Sequence, residues 1–152
     1  MGFFDFLKTE KKAPDKFLDK DWQTVSKRYY DGLQKIESQW SVLYNLKCFS
    51  GPKAEKFISL CEENIQVFFT MKQIEKGYNS EDFPPSVPAF KRLAMIYEKQ
   101  KNFDAAIKVC IDAIKCGATV DGSKGGMQSR LARLIKKAGI TPTAEMEKFM
   151  LK

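Results

Sequence analysis

Residues 121–130 read DGSKGGMQSR and run straight into LARLIKKAG. Three glycines and Lys124 ahead of a helical pattern are what a phosphate-cradling loop uses. Glycine lets backbone N–H groups crowd an anion, and lysine adds a charge. The Walker spacing G-x-x-x-x-G-K-[ST] is absent, because Lys124 precedes Gly125 and Gly126 and no Ser or Thr follows a lysine there. No strand pattern leads into the loop. The chemistry this leaves is weak anion capture by Lys124, Gly125 and Gly126, without specificity for a nucleotide.

Other reactive residue types are sparse. The chain has no histidine, which removes the commonest general base and with it Ser-His and Cys-His nucleophile pairs. Cys48, Cys61, Cys110 and Cys116 show no CxxC spacing, so they read as free thiols serving as small core residues and not as zinc ligands. The carboxylate pairs Glu62-Glu63 and Glu81-Asp82 are sequence neighbours, which point in different directions along a helix. Nothing here argues for an enzyme, a metal or a cofactor.

Charge is the more informative property. The net charge is +7, and residues 121–152 alone hold seven basic and three acidic residues. Five basic residues and no acidic one lie between Lys124 and Lys137. A local basic patch therefore needs explaining, not a general basicity.

Length and composition bound what can position it. A chain of 152 residues with 43% hydrophobic and 30% charged residues suits one globular domain. No apolar run is long enough to cross a membrane, no secretory signal is evident, and Phe6 breaks the myristoylation pattern. These features point to the cytoplasm. GFFDFLK (2–8) is an apolar tip on the polar linker TEKKAPDK (9–16). It reads as a terminal turn packed on the domain or on a second subunit. The alternative is a weak membrane-surface foot made by Phe3, Phe4 and Phe6.

The expected fold is all-α. Trp22, Val25, Tyr29, Leu33, Ile36, Trp40, Leu43 and Tyr44 recur at steps of three and four, one face of a long helix over about 19–47. Gly51 and Pro52 break it. A second helix carries Phe57, Leu60, Cys61, Phe68, Met71 and Ile74 and ends at Gly77, so that 19–77 forms an αα-hairpin. YNSEDFPPSVP (78–88) is a linker, with Ser86 available to cap a helix over about 87–100. Asn102 caps the next helix, from Phe103 to about Cys116. After the glycine loop, where Asp121 or Ser123 is available as a cap, a helix spans about 126–138. Residues 140–152 form a short tail with a last turn or helix. The domain is then 19–139, comprising the hairpin and the helices of 87–138.

PAFKRLAMIYEKQKNFDAAIKVCIDAIKCGA (88–118) resembles a tetratricopeptide repeat. Phe90, Leu93, Ala94 and Tyr97 in its first helix and Ala106, Cys110 and Ala113 in its second carry the likeness. Lys101 departs from the family's turn glycine, and no proline closes the unit near Ala118. KRLAMIYEK (91–99) and SRLARLIKK (129–137) align at an offset of 38, so the last main helix resembles the first half of a second unit that caps the array. Residues 53–139 also resemble small bacterial and phage proteins of no assigned function.

The repeat resemblance implies a concave face lined by Lys91, Met95 and Lys99, with Arg133 and Lys137 from the half unit. On the last helix Arg130, Arg133 and Lys137 fall within about 60° of one another at about 100° per residue. Met127, Leu131, Leu134, Ile135 and Ala138 take a separate, core-facing arc. The expected function is a protein- or peptide-binding adaptor whose basic groove takes an acidic segment. The rival is nucleic-acid or phosphate binding by the same patch plus Lys124, for which the aromatic interleaving that stacks bases is missing.

Overall fold

A computed structural model of the chain describes residues 19–74 and 86–150, with side chains from Trp22 onward. The fold is all-α. Six helices occupy the described residues: α1 Asp19–Leu46, α2 Pro52–Ile74, α3 Pro88–Lys99, α4 Phe103–Lys115, α5 Gly126–Ala138 and α6 Ala144–Phe149. Among those residues the only extended pairing is an isolated parallel bridge between Ser86 and Val120. The apolar tip with Phe3, Phe4 and Phe6, the linker after it, and the expected stop at Gly77 lie outside the described residues.

The apolar stripe of α1 turns inward as its spacing demands. Tyr29, Ile36, Trp40 and Leu43 are buried against α2, where Ala54, Phe57, Cys61, Ile65 and Phe68 complete the interface. Tyr44 is the exception to the expected stripe. It stays 47% exposed, resting on Trp40 and Phe49 with Lys47 over its ring. The hairpin break falls as expected, with Gly51 at φ +86° and Pro52 opening α2.

Helix α3 packs on the hairpin through Phe90, which meets Phe68 edge-on at 6.4 Å. Its start is not capped by Ser86. Val87 occupies the cap position with no side-chain bond, and Ser86 is drawn into the bridge with Val120 instead. Asn102 does cap α4, accepting from the Ala105 amide at 3.3 Å. Lys101, the residue in place of the family's glycine, adopts φ +60°, the left-handed conformation that glycine would supply. Helix α4 lies between α3 and α5, and its Ala106, Val109, Cys110 and Ala113 are wholly buried.

Three helices share a direction. Arg92, early in α3, reaches Glu37 in the middle of α1, while Gln100 donates to the Phe49 carbonyl just beyond the end of α1. Lys137 near the end of α5 meets Glu98 near the end of α3, and Lys91 Nζ comes within 3.8 Å of where a Cβ on Gly122 would stand, ahead of α5. So α1, α3 and α5 run parallel, with α2 and α4 returning between them.

Candidate functional site

The glycine loop is shaped by packing. Gly126 sits at φ +61°, and a Cβ there would fall 2.2 Å from the Thr119 carbonyl oxygen, which instead accepts from the Met127 amide at 2.8 Å. The Gly126 amide donates to Ser123 O. Of the groups expected to hold an anion, the Gly126 amide is therefore already engaged within the chain, as is the Met127 amide beside it. Neither Asp121 nor Ser123 caps α5; Gly125 takes that position, in the left-handed conformation and without a side-chain bond.

Asp121 is used differently. Its carboxylate is buried, accepting from the Ser123 amide at 2.9 Å and hydroxyl at 2.5 Å, and from Arg130 Nε at 2.8 Å. Burial alone would raise the Asp121 carboxyl, but the bonds from Ser123 and Arg130 outweigh it and hold it below its ordinary range. The loop is a closed unit whose anion is its own.

The expected groove residues are carried by two helices. Lys91, Met95 and Lys99 follow at i, i+4 and i+8 on α3, and Arg130, Arg133 and Lys137 lie along the neighbouring α5. Their charges fare unequally. Arg130 is spent on Asp121, its side chain only 12% exposed. Lys137 pairs with Glu98 at 2.5 Å. Lys99 stands over the Phe49 ring at 5.5 Å, and Arg133 donates to the Ser129 hydroxyl at 3.1 Å. Among the described residues no carboxylate pairs with Lys91, Lys99 or Arg133, and Met95 is half-buried. Lys124 is exposed on the loop.

One cation of this face was not expected. Arg92 bridges α3 to α1 through a 2.7 Å ion pair with Glu37, lies 5.3 Å from the Trp40 ring centroid, and touches Met95 Sδ with its Nη1 at 3.5 Å. Its partner is 55 residues away in the chain, so local spacing carries no signal for the pair.

The cysteines are free thiols, with Cys61 and Cys110 wholly buried. Burial pushes the Cys110 thiol up to about 12 and raises Cys61 as well. No group of three or more metal-ligating side chains occurs among the described residues, and no described helix is long and apolar enough to cross a membrane. Compared with family models, curated proteins and solved structures, the chain shows no match.

Proposed function

We propose that the chain is a non-catalytic binding module whose α3–α5 face takes an acidic peptide segment. The observation that carries this reading is the pattern of charge compensation. Arg92, Arg130 and Lys137 are each answered by a carboxylate of the chain, whereas Lys91, Lys99 and Arg133 have no carboxylate partner among the described residues, and Met95 stands one turn from each lysine along α3. A peptide would supply those carboxylates through charge-assisted bonds, with the Met95 thioether as an adaptable apolar contact. The parallel course of α1, α3 and α5 supports the tetratricopeptide resemblance, in which the first helices of successive units line the binding face. The commitment of Arg130 and Lys137 thins the basic stripe that nucleic-acid binding would need.

The test is fluorescence anisotropy with a labelled Glu/Asp-rich peptide containing one leucine. Lys99→Glu/Arg133→Glu, both at exposed positions, should weaken binding by about tenfold or more. Equal affinity of the variant and the parent would refute the reading. Tighter binding of single-stranded RNA than of the peptide, falling linearly in log affinity against log salt, would favour the nucleic-acid alternative.

A further inference from the structure

The hairpin carries a second surface, remote from the α3–α5 face. Arg28 and Lys35 project from the side of α1 opposite Glu37, which meets α3, as about 100° per residue requires. There a cleft of about 400 Å³ opens between α1 and α2, a size suited to a small organic molecule. Arg28 and Lys35 line it from α1, and Leu60, Glu63, Asn64 and Val67 from α2.

Asn64 makes this cleft more than a surface dent. Its side chain is 3% exposed, and Nδ2 donates to the Tyr29 carbonyl at 2.9 Å. A carbonyl only accepts, so the amide orientation is settled by its neighbour, and Oδ1 is the atom left over. Oδ1 has no donor among the described residues and is itself covered, so a ligand in the cleft reaches it as the Asn64 side chain shifts. Gly32 makes the approach feasible, since a Cβ there would stand 2.7 Å from Asn64 Nδ2. Glycine inside a 28-residue helix and asparagine amid the apolar side of α2 are both locally unfavourable. They meet at one cleft, and such concessions concentrate at functional sites.

Three cations and two carboxylates, Asp31 and Glu63, line the cleft, and two of the cations are unpaired among the described residues. Lys27 is tied to Asp31 at 2.7 Å, but no carboxylate pairs with Arg28 or Lys35 among the described residues. We infer that this cleft binds a small organic carboxylate bearing a hydrogen-bond donor and a short apolar arm. The carboxylate meets Arg28 and Lys35, the donor satisfies Asn64 Oδ1, and the arm lies on Leu60 and Val67. The inference is independent of the peptide-binding face.

N-acetyl-L-leucine has all three parts and serves as the probe, with its uncharged amide derivative as the control. Titrated into the full chain and followed by amide NMR shifts, it should bind saturably at about millimolar strength, with shifts confined to residues 24–35 and 60–67. The uncharged derivative and the Arg28→Ala/Lys35→Ala variant should each bind at least about tenfold more weakly. Asn64→Leu, which keeps an apolar floor, should lose binding likewise. No saturable shift, or equal affinity for the uncharged derivative, would overturn the proposal. So would unchanged binding by the folded Arg28/Lys35 variant, which stays informative even if Asn64→Leu fails to fold.

Discussion

Arg130 reaches back across the glycine loop to Asp121, joining a 12%-exposed guanidinium to a fully buried carboxylate at 2.8 Å. The pair fastens the start of α5 to the loop that delivers it. Removing one partner strands the other. Arg130→Ala should cost about 3 kcal/mol, because a buried carboxylate left without its cation keeps its desolvation penalty. Chemical denaturation with an unchanged slope would measure it, and a loss below about 1 kcal/mol would show the pair to be peripheral.

The same pair sets a pH dependence. The folded carboxyl of Asp121 lies below its ordinary value, so the unfolded chain takes up the proton more readily. Its stabilisation is complete above about pH 4 and is lost as pH falls through the lower folded value. The Tm gap between wild type and Asp121→Asn should therefore narrow steadily as pH falls below about 4. A gap that stays constant into strong acid would contradict the assignment.

Two glycines at positive φ should respond differently to alanine. At Gly126 the new Cβ would collide with the Thr119 carbonyl, and the cost should exceed about 2 kcal/mol. At Gly139, φ +67°, no atom lies within 4 Å, so only the left-handed penalty of about 1 kcal/mol remains. Thermal melts of the two variants would check both the size and the order.

Lys101 invites the opposite substitution. It holds φ +60° at the α3–α4 turn, and Lys101→Gly relieves that strain while adding chain entropy to the unfolded state. The expected outcome is between neutral and about 1 kcal/mol of stabilisation. A clear loss of stability would mean the lysine side chain does more than occupy the turn.

Tyr29 carries a buried hydroxyl with no partner among the described residues, and burial raises its pKa. Tyr29→Phe deletes that unpaired group and keeps the ring on Phe68. Stability should be unchanged or rise by up to about 1 kcal/mol. Equilibrium unfolding would reveal the contrary case as a loss of similar size.

Thiol reactivity should follow burial. Only the thiolate attacks a disulfide reagent, and desolvation keeps Cys61 and Cys110 protonated. In Ellman's assay at pH 8, Cys48 should react first and the two buried thiols only as the chain unfolds. A fast phase that survives Cys48→Ser would reassign the accessible thiol.

The chain itself determined the helices. Apolar residues at steps of three and four, Asn102 as a cap, and glycines after α4 and α5 are local signals, and the helices follow them because helix formation is settled within a few residues. Where local signals offered near-equivalents, tertiary structure chose. Ser86 and Asp121 both suit a cap, yet one entered a bridge with Val120 and the other was taken by Arg130. Gly32 and Asn64 look like separate flaws in two helices until the hairpin brings them into contact. The basic patch read from residues 124–137 was likewise a sum of formal charges. Which of them stay free depends on carboxylates 9 and 39 residues away along the chain, brought to Arg130 and Lys137. Helical periodicity is a property of neighbours in sequence, whereas charge compensation is a property of neighbours in space, and only the packing of α1, α3 and α5 decides the second.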